Sequence, residues 1–376
     1  MTLSLADYLN LSGQGDSFAD DVVSRIFKEN PQQNVMNLFN LLIRNLHLPG
    51  DELPGYVEEY RKEASVLPDW MDASKIRRAE RFFIDKGLAC SVVLYYRSLP
   101  ECYLIPSIAE VLMITGRMAG RNWPETYARR VGETTQFVLD VCSPGGIIGE
   151  GTGIETLVRV RLIHASIRHF IHKQQNWPNG QVAICQMDLV YTLLTFGFSM
   201  VDGLKTMGIE VNDKDAEAFF HLWSVAGHLL GIPNEYLPET PLKAKELLDL
   251  MKSQLARKTE AGIACTTALT AFSKDILAGQ FLDDFPEAMV RQLIGESYGG
   301  MLGLRNNNGC MARLLPKVLM RLLSWSEALE DRIPATNELT DPLGAAILKG
   351  MRSYFQSYKG NGIRLHEEIE SAWALG

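Results

Sequence analysis

Three polar side chains and one histidine, on two neighbouring predicted helices, have the types and spacing to support chemistry. Arg130, Glu133 and Thr134 stand at positions i, i+3 and i+4, so they share one helix face. Phe137 continues that face, and His164 lies on the apolar side of the next helix. Such an arrangement could form the two sides of a haem pocket, because haem iron needs only one protein nitrogen.

Each polar residue has a chemical role available if this face covers an open iron position. Glu133 could give and take a proton for bound oxygen or peroxide. Arg130 could keep that carboxylate ionised or stabilise negative charge as the O–O bond polarises, and Thr134 could donate a hydrogen bond. The alternative is a surface Arg–Glu pair, which would stabilise the helix by roughly a few tenths of a kcal/mol.

The second helix carries two arginines, Arg161 and Arg168, about one turn either side of His164. Buried guanidinium groups are costly unless they meet anions, so haem propionates, a phosphate or carboxylates are the candidate partners. His164 could equally be a core histidine with a hydrogen-bond partner. His164, His169 and His172 are spaced by five and three, whereas two ligands on one helix usually stand four apart. A three-histidine metal site is therefore not expected.

The glycine-rich loop between these helices, GGIIGEGTG, does not fit a nucleotide site. It lacks the GxGxxG spacing, no predicted strand precedes it, and no lysine follows as in a P-loop. We interpret it as a tight connection that includes an N-cap for the next helix.

Helical periodicity dominates the chain, and two-residue alternation is scarce. Apolar residues three and four apart predict helices over residues 16–28, 34–46, 74–85, 124–141, 155–174, 188–207, 213–230, 241–257, 264–277, 286–293, 311–322 and 341–354. An all-α fold follows, and we expect one helical domain over residues 1–376. The most apolar run, 189–201, is too short to span a bilayer and predicts a buried core helix, so no transmembrane segment is expected.

Composition narrows the function classes. The net charge is −8 with no block of lysine and arginine, which argues against nucleic acid as a partner. The N-terminus lacks the features of a signal peptide, so we expect a cytoplasmic protein. The cysteines form no CxxC pair and indicate buried thiols rather than a zinc site; they are Cys90, Cys102, Cys142, Cys185, Cys265 and Cys310.

Five motifs follow one another over roughly residues 85–235. They are LYYRSLPECYLIPSIAEVLMITGRM, the Arg130-x-x-Glu133-Thr134 group, VRLIHASIR, CQMDLVYTLLTFGFSMVDGLKTMGI and EAFFHLWSVAGHLLGI. In this order and spacing, the set resembles the haem-dependent oxygenase superfamily that includes the latex-clearing proteins (rubber oxygenases) and the oxygenase of mycophenolic acid biosynthesis.

This resemblance implies a globin-like helical core with additional peripheral helices, holding one b-type haem. It implies that His164 is the proximal iron ligand and that Arg130 and Thr134 are the distal arginine and threonine of the family. Further positions around the haem in the family pattern are matched by Arg161, Arg168 and His169.

The chain departs from the family at Glu133, where rubber oxygenases carry a lysine before the distal threonine. Glutamate is a poorer iron ligand than a lysine amine and a better acid–base group. Without a predicted secretion signal, an extracellular polymer is not the expected substrate. The resemblance thus implies a haem b oxygenase or peroxygenase that uses O₂ or H₂O₂ on a hydrophobic or unsaturated small molecule.

Two alternatives stay open at this point. One is a haem enzyme of another class, either a peroxidase or an enzyme acting on N–O substrates. The other is a non-catalytic helical protein that binds haem or another ligand, since a fold does not determine a function. The sequence leaves the substrate, the electron donor and the oligomeric state open.

Overall fold

The computed structural model describes residues 4–29, 54–115, 125–149, 151–173, 177–178, 180–276 and 284–305. These residues form helices and no strand, which confirms the all-α prediction. The helices are α1 Leu5–Asn10, α2 Ser17–Glu29, α3 Gly55–Ala64, α4 Ala73–Asp85, α5 Gly87–Val93, a π-helical turn Leu94–Ser98, α6 Leu99–Tyr103, α7 Pro106–Ile114, α8 Glu125–Cys142, α9 Gly153–Lys173, α10 Gln186–Thr206, α11 Asp213–Leu229, α12 Pro241–Leu255, α13 Glu260–Ile276, α14 Phe285–Ile294 and α15 Glu296–Met301, with 3₁₀ turns at Leu11–Gly13 and Asn234–Tyr236.

Local sequence explains where several of these helices begin. The Asp72 side chain accepts hydrogen bonds from the first backbone N–H groups of α4, and Asn212 does the same for α11. Pro241 occupies the first position of α12, where its missing N–H costs nothing. The two side-chain-capped helices then pack along each other, with Phe82 and Phe219 in edge-to-face contact at a centroid distance of 5.4 Å.

Nine of the predicted helices are observed among the described residues, namely α2, α4 and α8 to α14. The predictions over 34–46, 311–322 and 341–354 lie outside the described residues. Periodicity missed α1, α3, α15 and the run from α5 to α7. From α5 to α7 most side chains are buried or half-buried on every side, so no polar stripe marks the helix period.

Helix α10 runs through the core and packs against α11 and α12. Gly197 lets α11 approach closely, because a Cβ atom there would lie 2.9 Å from Cβ of Trp223. By length and composition α10 is the one described helix that could cross a membrane, and 83% of its apolar window is buried inside the protein. That burial confirms the prediction of a core helix.

A buried ionic cluster joins α6, α10 and α12. Glu101 is fully buried; its Oε1 lies 3.0 Å from Nζ of Lys252, and its Oε2 accepts a hydrogen bond of 2.5 Å from Oγ of Ser199. Arg97, in the π-helical turn, lies 3.6 Å from Glu101 and pairs with Asp202 at 2.5 Å. The carboxylate is therefore compensated from three sides, as a buried charge requires.

The cysteines behave as predicted where they are described. Cys90, Cys102, Cys142, Cys185 and Cys265 are free and buried. Burial raises the pKa of the Cys102 and Cys265 thiols to about 12, which keeps them protonated and unreactive. Cys310 lies outside the described residues.

Candidate functional site

One cavity of about 200 Å³ lies between α7, α8, α9 and α10. Its walls are mostly aliphatic and aromatic. The lining residues are Ile108, Val111, Leu112, Thr115, Arg130, Glu133, Thr134, Phe137, Val160, Ile163, His164, Ile167, Ile184, Asp188, Leu189, Thr192, Leu193, Phe196, Trp223 and Leu230. An apolar cavity with a few converging polar groups is the usual form of a small-molecule site.

Helix α8 contributes the polar group predicted from the sequence. Arg130, Glu133, Thr134 and Phe137 all line the cavity, which places them on one face as their spacing requires. Nη1 of Arg130 donates to Oγ1 of Thr134 at 2.7 Å, and Oγ1 of Thr134 donates to the backbone carbonyl of Arg130 at 3.1 Å. Nε of Arg130 is buried and finds no hydrogen-bond partner among the described residues.

The single hydroxyl hydrogen of Thr134 is thus used within its own helix. A threonine has one O–H to donate, so in this arrangement Thr134 orients the Arg130 guanidinium rather than offering a donor to a ligand. The predicted donation to bound oxygen would require this bond to break.

Helix α9 places His164, half-buried, on the wall of the same cavity. The histidine and the polar group of α8 therefore line one space. Helices α8 and α9, which follow one another along the chain, pack against each other.

Asp188 also lines the cavity, and sequence reasoning missed it as a site residue. It lies in the first turn of α10 and is only 3% exposed. Its Oδ1 accepts a hydrogen bond of 2.6 Å from Oγ of Ser107, and the carboxyl group also lies against the thiol and the backbone N–H of Cys185. Burial raises the pKa of Asp188 to about 6, against the lowering effect of Ser107 and Cys185.

Arg161 and Arg168 do not line the cavity. Nε and Nη2 of Arg161 bind the Asp16 carboxylate at 2.5 and 2.9 Å, and Nε of Arg168 binds Asp20 at 2.7 Å. The expectation that these arginines meet anions is confirmed, and the anions are carboxylates at the start of α2. Their assignment to cofactor binding stays a prediction.

Arg168 also binds the backbone of one residue in the cavity wall. Its Nη1 donates to the carbonyl of Ile184 at 3.1 Å. Ile184 has a φ of 50°, which is costly for a β-branched residue, so the neighbouring contacts must hold it. Since Ile184 lines the cavity, the arginine helps to shape the wall without touching its interior.

His169 points away from the cavity. Its ring stacks on Phe27 with a centroid distance of 4.4 Å and an interplanar angle of 5°. Burial lowers the pKa of His169, which favours the neutral ring against this aromatic partner. Its predicted place near the cofactor likewise stays a prediction.

The donor set can be compared with what a bound metal or haem needs. Among the described residues no group of three histidine, cysteine or carboxylate side chains could hold a bare metal ion. A haem supplies four nitrogen ligands of its own and asks the protein for one, which His164 can provide. Apolar walls and the buried, unpartnered Nε of Arg130 fit such a group. The volume lies below the roughly 300–1,000 Å³ of ordinary ligand pockets, so seating a porphyrin requires wall side chains to move apart.

Comparison with known proteins identifies relatives of this chain. The family model described as ER-bound oxygenase mpaB/B'/rubber oxygenase, catalytic domain, matches residues 102–325. The rubber oxygenase of Streptomyces sp. (strain K30) is 27% identical over 323 residues, covering 84% of this chain and 76% of that protein. The structure of latex clearing protein LCP in the closed state matches with a TM-score of 0.73 at 24% identity, covering 94% of this chain and 93% of that chain, and shows a shared fold.

Proposed function

The chain belongs to the family of mpaB-type and rubber oxygenases, and from that premise we propose that this oxidoreductase is a haem b-dependent oxygenase or peroxygenase acting on a hydrophobic or unsaturated small molecule. One observation carries the proposal: His164 and the Arg130–Glu133 face line one apolar cavity from two different helices. The matched range includes the whole of both helices.

His164 is the residue proposed to ligate the iron. It is the one histidine among the described residues of the cavity wall. Haem, when bound, supplies the iron centre at which O₂ or H₂O₂ is used. The apolar side chains around the imidazole exclude water, which strengthens every electrostatic interaction within the cavity.

Glu133 and Arg130 are proposed to manage protons and charge. Glu133 faces the cavity half-buried, so its carboxylate can accept a proton there and return it. Arg130 brings a permanent positive charge to the same wall, held in place by Thr134. Its cation would stabilise negative charge that develops on a bound oxidant.

The substrate is proposed from the walls of the cavity. Apart from its few polar groups the lining consists of leucine, isoleucine, valine and aromatic side chains, among them Phe137, Phe196 and Trp223. The Streptomyces relative is named for rubber. For this chain we propose a small hydrophobic molecule, because aliphatic and aromatic side chains dominate the lining.

The test is an absorption spectrum of the protein expressed with added haem precursor. Wild type is expected to show a Soret band, and His164→Ala is expected to lose or shift it. His172→Ala is the matched control, because this histidine lies on the same helix and is exposed to solvent. A colourless wild type that cannot be reconstituted with haem, or a His164→Ala spectrum identical to wild type, would refute the proposal.

A second step separates acid–base chemistry from binding. Glu133→Gln keeps the size of the side chain and removes its charge. With O₂ or H₂O₂ and hydrophobic alkenes as substrates, we expect product formation to fall by about 10²–10⁴-fold, the usual contribution of a positioned acid–base group, while the Soret band persists. Unchanged turnover would remove Glu133 from the mechanism.

A further inference from the structure

We propose that a cluster of four tyrosines carries oxidising equivalents away from the cavity when no substrate is bound. The tyrosine cluster consists of Tyr95, Tyr96, Tyr103 and Tyr127. It extends from the Arg130 end of the cavity wall to the ring of Tyr95, which is partly exposed among the described residues. The inference rests on the proposed function, because the oxidant is H₂O₂ used at the haem. It gives a redox role to side chains that the proposed acid–base chemistry does not use.

The inner end of the tyrosine cluster lies next to the cavity wall. Tyr127 is fully buried in α8, three residues before Arg130, so the two side chains are neighbours on one helix face. Burial raises the pKa of Tyr103 well above its ordinary value, and the nearby Arg130 charge acts in the opposite direction. Since Arg130 lines the cavity, both phenols stand behind this part of the wall.

The four phenols form a continuous series of contacts. The hydroxyl of Tyr127 lies against those of Tyr103 and Tyr95. The rings of Tyr95 and Tyr96 meet edge to face at a centroid distance of 4.9 Å. These two residues are consecutive in the π-helical turn Leu94–Ser98, and π-helical turns are frequent at functional sites. An electron can therefore pass from each phenol to the next without crossing another side chain.

The hydroxyl groups are the feature that packing alone does not require. A phenylalanine would fill the same space, whereas a buried hydroxyl must find a partner to offset its lost hydration. Oη of Tyr95 donates to the carbonyl of Leu269 at 2.8 Å, and Oη of Tyr96 donates to Oγ of Ser273 at 3.2 Å. Burial raises the pKa of all four phenols, which keeps them protonated. A protonated, hydrogen-bonded phenol can lose one electron and its proton together.

The reaction balances with two phenols for each peroxide. At the haem, a cofactor for one-electron and O₂ chemistry, the O–O bond of H₂O₂ breaks as it takes up two electrons and two protons and becomes two molecules of water. Each phenol supplies one electron and one proton, its O–H bond breaking, and becomes a neutral tyrosyl radical. An electron and a proton from Tyr95 then restore Tyr127, since their hydroxyls are in contact. The radical thus moves outward to a ring that a small reductant can reach.

The experiment treats the purified protein with an equal amount of H₂O₂ in the absence of substrate, after its haem content has been recorded from the Soret band. Electron paramagnetic resonance of rapidly frozen samples detects the tyrosyl radical. A nitroso spin trap followed by peptide mass spectrometry locates it. Wild type is expected to give an adduct on Tyr95 or Tyr96. Tyr127→Phe keeps the ring and removes the hydroxyl, so it is expected to lose this adduct and to retain the Soret band.

Two further variants separate the route from a general effect on the fold. Tyr95→Phe/Tyr96→Phe should keep the frozen radical signal, which then stays on the inner phenols, and should give no adduct in the tyrosine cluster. Tyr60→Phe is the matched control, because Tyr60 is also buried and donates to a backbone carbonyl, that of Val158, outside the cluster. It should leave the wild-type adduct unchanged.

The outcomes distinguish this proposal from the proposed function. A haem-loaded wild type without a tyrosyl radical, or with adducts only outside the tyrosine cluster, overturns this proposal and leaves the oxygenase proposal standing. An adduct that survives in Tyr127→Phe, or one that Tyr60→Phe abolishes as well, also overturns the route. A protein without a Soret band refutes the haem proposal and this one with it.

Discussion

We expect the ionisation of Asp188 to make the free energy of unfolding depend on pH. The substitution Asp188→Asn should remove this contribution. The carboxyl group has a folded-state pKa of about 6 against an ordinary value of 3.8, because burial disfavours the charged form. The folded state therefore binds this proton more tightly than the unfolded state. The resulting stabilisation is complete below pH 3.8 and is lost as the pH rises through about 6.

The magnitude follows from the size of the shift. A difference of about two pKa units corresponds to about 3 kcal/mol, since one unit is about 1.4 kcal/mol. About 2 kcal/mol of this falls between pH 4.5 and pH 7.5, where the unfolded chain is already largely ionised. Asp188→Asn mimics the protonated group at every pH and can still accept from Ser107. Relative to wild type, the variant should therefore become more stable by about 2 kcal/mol across this interval.

The assay is urea unfolding followed by circular dichroism at several pH values for wild type and Asp188→Asn. Taking the difference cancels the titration of every other group. Asp21→Asn is the matched control, because it makes the same substitution at an exposed position of α2. If the difference for Asp188→Asn does not change with pH, or falls as the pH rises, burial does not raise the pKa of this carboxyl group as stated above.

Two packing predictions concern the core around α10. Lys252→Met should lower the free energy of unfolding by about 1–3 kcal/mol, because the fully buried Glu101 loses its lysine but keeps Arg97 and Ser199. The double variant Lys252→Met/Glu101→Leu should recover most of this loss in urea unfolding. No loss in the single variant would contradict this account. Gly197→Ala should lower the free energy of unfolding by about 1–3 kcal/mol, since the new Cβ would lie 2.9 Å from Cβ of Trp223. An unchanged Tm would show that α10 and α11 can move apart at this contact without cost.

The sequence predicts which side chains share a face when their spacing within one helix is enough to determine it. Arg130, Glu133 and Thr134 share a face because of their spacing, and His164 follows on an apolar stripe. Local periodicity alone does not state that two such faces meet across one cavity. The structure brings the two faces together.

Asp188 escaped prediction for a physical reason. Asp188 stands at the edge of an apolar run. In the sequence, such a position looks the same as a solvent-exposed charged residue at the end of a buried helix. Its burial depends on Ser107, which lies 81 residues earlier and packs over the start of α10. The available signal was its spacing relative to other residues of α10. It stands four and eight positions before Thr192 and Phe196, so the aspartate shares the helix face that lines the cavity.

His164 can be identified from the local sequence pattern, but its orientation depends on the ion pairs that the two arginines of α9 form with distant residues. Arg161 and Arg168 stand about one turn either side of His164, and their partners Asp16 and Asp20 come from the start of α2, 145 and 148 residues away. Rotation of α9 about its axis would break one or both of these pairs and leave charges buried without partners. Arg168 would also release the carbonyl of Ile184, whose strained backbone forms part of the cavity wall. The start of α2 therefore helps to fix which way the imidazole faces, although α2 contributes no side chain to the cavity.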